Sequence, residues 1–338
     1  MNKVAVVIPC LNEEKYIKAC VQSIISSDLT NVELSVYVVD GISSDATRKI
    51  VSEMAASDLK VHLIDNEKRV TPVALNLGVK AAEGSDVLII LGAHAEVQKD
   101  FIQENLATLK RFPEAECVGG VIENEYENEA ARIVGLAMSS PFGVGNATFR
   151  TGGKESFVDT VAFGAYRYEV FNSIGLFDER LVRNQDDEFN FRITNSGGKI
   201  YFNPKIRSKY FVRSSYSKLA RQYYQYGYWK VFVNRIHQTI TTWRQTIPLF
   251  FVLFLITFSI LALLNTYFSG ILFSGVLVWL IGSVVAAMSQ KAPTAIWPKL
   301  VLVFFILHFF YGLGYAKGIL DFLIFRKLPD THSPNITR

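Results

Sequence analysis

Arg183-Asn184-Gln185-Asp186-Asp187-Glu188 sets three carboxylates in a row ahead of Phe189-Asn190-Phe191-Arg192-Ile193, which reads as the opening of a helix. Two chemistries are open to such a run. Acids in the first turn meet the positive end of the helix dipole and stabilise it. A carboxylate there, with like-charged neighbours that raise its proton affinity, also suits removal of a proton from a hydroxyl. Place in the chain favours the second. Of the 31 acids only Asp321 and Asp330 lie beyond Glu188.

Other polar groups follow apolar runs. Asp40-Gly41-Ile42-Ser43-Ser44-Asp45 comes after Leu34–Val39. An Asp at a strand end accepts hydrogen bonds from a ribose or a base N–H, and Gly41 permits a tight turn. The same turn also serves to cap the next helix. Lys68 and Arg69 stand just before a helix start at Thr71-Pro72, which suits a diphosphate by charge and dipole, or simply a solvated surface pair. The cysteines are Cys10, Cys20 and Cys117, an odd set without paired spacing or a Cys/His cluster. That argues against a disulfide framework or a zinc site and for buried, reduced thiols in a cytosolic compartment.

The elements that must hold these groups alternate. Short apolar strands are expected at Val4–Ile8, Leu34–Val39, Val61–Ile64, Asp86–Leu91 and Val118–Ile122. Between them, helices of 10–15 residues are expected to about Ser26, Ala56, Ala82 and Arg111, with Asn12 as an N-cap for the first. This order implies right-handed βαβ units, a mostly parallel sheet and a ligand at the carboxyl ends of the strands. The loops after the first, second and fourth strands all carry Asp, Glu, Asn or His at that edge. Gly135–Gly153 lacks periodicity and reads as a mobile loop over the site or a long connection. Phe157–Phe163 reads as one strand. Lys199–Phe202 and Ser208–Val212 read as two short ones.

The net charge of +4 conceals an asymmetry: Lys199 to Arg244 holds ten Lys or Arg and no acid. Ser215 to about His237 reads as a helix mixing Tyr223, Tyr224, Tyr226, Tyr228, Trp229 and Phe232 with Lys218, Arg221, Lys230 and Arg235, as a helix at a membrane surface requires. Ile247–Leu264, Ile271–Met288 and Leu300–Ile319 approach the ~20 apolar residues that cross a bilayer. A basic block leading into such segments points to membrane rather than nucleic acid. Lys291 and Lys299 place the second connecting loop on the cytoplasmic side, with the basic block. A third full span would put Arg326 and Lys327 outside, against the same rule, so two or three spans stay open. Asn335-Ile336-Thr337 matches a glycosylation acceptor.

In order along the chain, Pro9-Cys10-Leu11-Asn12-Glu13-Glu14, Asp40-Gly-x-Ser-x-Asp45, Leu75-Asn76-x-Gly78 and Asn184-Gln-Asp-Asp-Glu188 resemble the motifs of the family 2 glycosyltransferases with the GT-A fold. The resemblance covers roughly residues 3–235. It is nearest to membrane-attached bacterial transferases of exopolysaccharide synthesis, of the succinoglycan type, where a similar Gly-Ala-Tyr-Arg167 segment precedes the acidic run.

The resemblance implies an α/β GT-A domain, Rossmann-like, over 1–213, a basic aromatic interfacial helix over 214–245, two or three transmembrane helices within 246–325 and a polar tail over 326–338. It implies that Pro9, Asn12, Glu13 and Asp40, with Lys68, Arg69, Asn76 and Ala93, meet a nucleotide-diphosphate sugar, with UDP-glucose or UDP-galactose as the expected donor. Asp186 would be the base of a single inverting displacement. Asp187, Glu188 and Arg167 would tune it or order the acceptor. Gln225-Tyr-Gly-Tyr-Trp229 has the spacing of the Gln-x-x-Arg-Trp element of processive enzymes, with Tyr228 in place of Arg.

Gly92-Ala93-His94 would stand where such relatives carry Asp-Ala-His. His94 would then hold Mn2+ or Mg2+, helped by Glu96 or Asp86, or else serve as a hydrogen-bonding neighbour in a protein without a metal. The acceptor would be a saccharide on a polyprenyl diphosphate, met at the cytoplasmic face of the plasma membrane by a multi-pass protein. Two rivals stand beside this: direct transfer to a polyprenyl phosphate, and a non-catalytic membrane protein that binds sugar nucleotides.

Overall fold

The computed structural model describes residues 1–212 and 215–329. Asn335-Ile336-Thr337 lies outside them. The elements run β1 (Asn2–Cys10), α1 (Ile17–Ile25), β2 (Val32–Asp40), α2 (Thr47–Ser57), β3 (Val61–Asp65), α3 (Thr71–Ala81), β4 (Val87–Ile90), β5 (Ala95–Val97), α4 (Phe101–Arg111), β6 (Ala115–Glu125), α5 (Glu129–Met138), α6 (Pro141–Val144) and α7 (Thr148–Thr151). They continue with β7 (Ser156–Val158), β8 (Ala162–Arg167), α8 (Glu169–Ile174), α9 (Gln185–Asn195), β9 (Lys199–Phe211), α10 (Tyr216–His237), α11 (Ile247–Ala262), α12 (Thr266–Ser289) and α13 (Trp297–Gly318). Two compact units result: Met1–Glu125 with Thr148–Phe211, and Tyr126–Ala147 with Val212–Arg338. Residues 126–147 therefore group with the C-terminal helices rather than with a continuous 1–213 domain.

The first unit is one sheet in the order β3-β2-β1-β4-β8-β6-β9-β5, with β7 on β9. Alternation along β1 explains its two layers. Val4, Val6, Ile8 and Cys10 face a core shared with Ile17 and Val21 of α1, Val51 of α2 and Ile102 of α4. Ala5 and Val7 face the other core, with Leu75 and Val79 of α3 and Phe189 and Ile193 of α9. All three cysteines are free and buried, as expected. Burial pushes the Cys20 thiol up to about 12.

The expected parallel order holds across β3, β2, β1 and β4. Beyond β4 the sheet is mixed: β8 is antiparallel to β4 and β6, and β9 is parallel to β6. The two short strands expected at 199–212 are one strand, β9. Its register shifts between Gly119 and Val121, so Asn203–Ile206 bulges out and Pro204 needs no ladder hydrogen bond. The strand expected at 157–163 divides into β7 and β8. Gly135–Gly153 is largely helical: Asn128 Oδ1 accepts from Ala131 N–H at 2.9 Å to start α5, and Ser140 Oγ accepts from Phe142 N–H at 3.3 Å to start α6.

Strand directions place the α9 acids. β1, β2 and β4 end at one edge of the sheet. β8 begins there, because Arg167 pairs with Val87 at the start of β4. β6 and β9 then end there. α9 leads into β9 through the short turn at 196–198, so it runs back across the sheet. Eleven residues span about 16 Å. Its first turn, with Asp186, therefore sits at the edge where β1, β2 and β4 end.

In the second unit, Thr294–Ile324 joins Trp243–Ala262 and Thr266–Ser289 as helices long and apolar enough to cross a membrane. α10 lies on α13 with backbones in contact. A Cβ at Gly227 would meet Tyr311 O, one at Gly314 would meet Tyr224 O, and one at Gly318 would lie 2.7 Å from Tyr228 O. Gly312 packs likewise on Pro248 O of α11. Trp279 Nε1 donates to His308 Nδ1 at 3.0 Å, which leaves His308 Nε2 to donate to Phe142 O at 2.7 Å. The α6 tip is thereby tied to α12 and α13.

Candidate active site

The loops after β1 and β2 are laced together by backbone amides and short polar side chains. Asn12 N–H donates to Ser43 Oγ at 2.8 Å, and Asn12 Oδ1 accepts from Ser44 N–H at 2.8 Å. Glu13 N–H donates to Thr47 Oγ1 at 2.8 Å, and Ala46 N–H to Glu14 Oε2 at 2.8 Å. Asn12 has a left-handed φ of 55°, which asparagine tolerates. It does not cap α1, which starts later at Ile17. Its side chain is spent on the neighbouring loop. Pro9, one residue before the end of β1, stands opposite Val39.

Asp40 is fully buried at 0 % exposure. Ser43 Oγ and Cys10 Sγ donate to its Oδ1, while Ser43 N–H and Arg48 Nη1 donate to Oδ2 at 2.9 Å each. Its carboxylate builds the β2–α2 turn. Arg48 also reaches Asp65 at 2.9 Å, and these two acids hold its guanidinium above its ordinary range.

Lys68 and Arg69 are exposed on the loop after β3, and Arg69 carries a left-handed φ of 56°. Lys68 Nζ lies 3.2 Å from Glu179 Oε2. Asn76, expected at a nucleotide, instead bonds both ways with Phe177: Nδ2 to Phe177 O and Phe177 N–H to Oδ1, each 2.9 Å. It also donates to Glu179 at 3.2 Å. The Asn76 amide and then Lys68 hold the Glu179 carboxyl below its usual range. A Cβ at Gly78 would strike Val7 of β1. The Leu75-Asn76-x-Gly78 pattern therefore records helix-on-sheet packing and a strut to the 176–179 turn.

At the end of β4, Ala93 is buried at 2 % exposure and cannot face a ligand by its side chain. His94 Nδ1 lies 3.5 Å from Glu13 Oε1, and its ring is tilted 4.9 Å from that of Tyr210. Gly92 has no side chain, and a Cβ there would lie 3.2 Å from the Phe163 ring. Glu96 of β5 stands opposite Lys209 of β9 in the strand register. Asp86 precedes β4 at the opposite edge, where it accepts from Lys3 N–H at 2.7 Å. Among the described residues no three His, Cys, Asp or Glu side chains gather as a cation's donor set. Glu13 and His94 are the pair that would hold the expected Mn2+ or Mg2+, with phosphate oxygens and water completing its shell.

The α9 acids separate cleanly. Asp186 is exposed, and its Oδ1 accepts from Asp187 N–H at 2.9 Å. Asp187 is half-buried beside it. Glu188 is 2 % exposed and faces inward. It grips Arg192 through two bonds, 2.9 and 3.1 Å, and Arg192 in turn donates to the carbonyls of Ile174 and Leu176. Glu188 thus also serves packing, as the buried half of an ion pair with Arg192.

Arg167 is also reassigned. Its guanidinium donates to Ala115 O at 2.9 Å and Leu109 O at 2.7 Å, closing the end of α4 at the edge remote from Asp186. Gln225 and Trp229 belong to the second unit, where Trp229 is buried against Phe232 and Phe322.

Tyr16, Arg150, Phe163 and Tyr210 also stand at this edge and escaped notice in the sequence. Tyr210 reaches His94 and Phe163 through strand pairing, Tyr16 meets His94, and Arg150 lies over Tyr210, and no local pattern marks them.

The sequence pattern described as "Glycosyl transferase family 2" matches residues 5–175. A dolichyl N-acetyl-alpha-D-glucosaminyl phosphate 3-beta-D-2,3-diacetamido-2,3-dideoxy-beta-D-glucuronosyltransferase of Methanococcus voltae is 31% identical over 95% of this chain and 98% of its own. The succinoglycan biosynthesis protein ExoA of Rhizobium meliloti is 28% identical over 94% of this chain and 95% of its own. Among solved structures, the Pyrobaculum calidifontis mannosyltransferase PcManGT with GDP-Man and Mn2+ superposes with a TM-score of 0.51 at 17% identity, over 69% of this chain and 64% of that one. S. aureus TarS 1-349 with UDP-GlcNAc does so with a TM-score of 0.50 at 18% identity, over 68% and 66%. These two likenesses speak for the shared fold.

Proposed function

The chain belongs to glycosyl transferase family 2, and from that premise we propose that it moves one hexose, with inversion, from a UDP-sugar to a saccharide on a polyprenyl diphosphate. The product would serve exopolysaccharide or cell-surface glycan synthesis. The observation that carries this reading is topological: exposed Asp186 opens α9 at the edge where the laced loops after β1 and β2 end.

In the proposed step, Asp186 takes the proton of an acceptor hydroxyl. The hydroxyl oxygen bonds to the anomeric carbon from the face opposite the diphosphate. The bond from that carbon to the diphosphate oxygen breaks, and its electron pair leaves with UDP. Pro9, Asn12, Glu13 and the 41–47 turn would receive the nucleotide, with Asp40 holding that turn. Lys68 and Arg69 would face the diphosphate. No step is assigned to a metal ion. A lipid-linked saccharide acceptor is supported by the name of the Methanococcus voltae relative, a transferase to a dolichyl-linked N-acetylglucosaminyl phosphate, and glycan synthesis by the name of the Rhizobium meliloti one.

Membranes containing the protein, given a panel of UDP-sugars and a polyprenyl diphosphate monosaccharide, should yield a lipid heavier by one hexose in mass spectrometry. Product on bare polyprenyl phosphate alone would instead select the direct transfer to lipid phosphate. Absence of any transfer would remove the reading.

We further propose plasma-membrane insertion with two spans, α11 and α12, and a cytoplasmic catalytic unit. α13 would lie at the interface beside α10. Three contacts support this: Tyr228 Oη donates to Asp321 at 3.1 Å, Lys327 Nζ lies 2.9 Å from Asp321, and Arg235 donates to Lys327 O at 3.0 Å. They join the end of α13 to α10, which precedes the first span and is too charged to cross. All the flanking basic residues then fall on one side. Single cysteines at Asn265 and Arg326, probed with an impermeant maleimide on intact cells, should label only at Asn265. Labelling at both positions would restore a third span.

A further inference from the structure

We propose that Arg150 supplies the positive charge that meets the donor's diphosphate, at the strand edge where Gly92 offers no carboxylate to hold a cation. The inference rests on the transferase reading above and names the partner of one more side chain within it.

Arg150 lies on α7, with its guanidinium 5.6 Å from the centre of the Tyr210 ring and 5.5 Å from that of Phe149. Its Nη1 is shut away from solvent and has no hydrogen-bond partner, and no carboxylate among the described residues pairs with it. A buried charged donor without an acceptor is costly, so such a group calls for one. Tyr210 shows where the acceptor belongs. It pairs with Ala95, and its ring lies 4.9 Å from His94 and 6.5 Å from Phe163. His94 in turn reaches Glu13 on the β1–α1 loop. The guanidinium is thus linked, ring by ring, to the loop assigned to the nucleotide.

Phe163 has a left-handed φ of 49°, a strained state for a bulky residue, and its ring faces the vacant Cβ position of Gly92. Gly92 and Phe163 therefore go together. A Cβ at 92 would press on the edge of that ring. At this edge the positive charge that can meet a phosphate is built into the chain as Arg150. A guanidinium presents its N–H groups as a fork that matches phosphate oxygens, and its charge opposes the one that develops on the leaving diphosphate. A lipid diphosphate offers the same chemistry. The line through Tyr210 and His94 to Glu13 selects the nucleoside diphosphate.

The test is calorimetric binding of UDP and of uridine to the full chain in detergent, with excess chelator. The intact protein should bind UDP under these conditions. Arg150→Met should weaken UDP about 10- to 100-fold and leave uridine unchanged, since uridine lacks the diphosphate. Arg150→Lys, which keeps the charge, should fall between. UDP affinity that is unchanged in Arg150→Met, or equal in the Met and Lys variants, overturns the proposal. So does wild-type UDP binding that vanishes with chelator and returns with Mn2+. Each of these leaves the transferase reading standing. A wild type that binds neither UDP nor uridine would overturn that reading instead.

Discussion

Asp186→Asn is expected to lower kcat about 10²- to 10⁴-fold while leaving UDP affinity unchanged. Asn keeps the size of Asp and can still accept from Asp187 N–H, the 2.9 Å bond that orders the first turn of α9. It cannot take a proton. Asp186 is exposed and lies outside both cores, so the substitution has little to unfold. Steady-state transfer in membranes, paired with calorimetric UDP binding, separates the two effects. Turnover at the wild-type rate would remove Asp186 as the base. Loss of UDP binding with it would make the residue a donor contact.

The second large effect is expected two positions along, and of the opposite kind. Glu188→Ala should destabilise the protein by about 3 kcal/mol, because breaking a buried ion pair strands the remaining charge. Glu188 is 2 % exposed, and the Arg192 guanidinium that it holds also ties down Ile174 O and Leu176 O at 2.6 and 2.7 Å. Without the acid, the α8–α9 connection loses its clamp and Arg192 keeps a half-buried charge. Thermal unfolding of the detergent-solubilised protein should fall by roughly 10 °C, with residual activity per folded molecule near that of the intact enzyme. An unchanged melting temperature with depressed kcat would return Glu188 to the chemistry.

These two acids show what spacing conveys and what it hides. In sequence, Asp186, Asp187 and Glu188 are three equal carboxylates at a helix start. Helical geometry turns each by about 100°, so one faces the edge and another the core. Which is which depends on where α9 meets the sheet, and that follows from the directions of β8, β6 and β9. Arg167 fails as an acceptor contact for the same reason. A strand antiparallel to β4 carries its last residue to the far edge. Asn76 and Gly78 resembled a ligand motif but serve a packing contact and a strut, because polar and small residues also do that work in a helix pressed on a strand.

The alternating strands and helices, the polar loops at the strand ends, the buried thiols and the apolar helices are legible in the amino-acid order alone. Each follows from periodicity or composition within a dozen or so residues, where local sterics and burial act. Which carboxylate is exposed, the spending of Asp40 inside its own turn, and the place of Arg150 over Tyr210 with a nitrogen unpartnered emerge from the folded chain alone. Those outcomes join residues far apart in the chain through strand pairing. Pairing order is set by the whole sheet, and no segment of the sequence carries it alone.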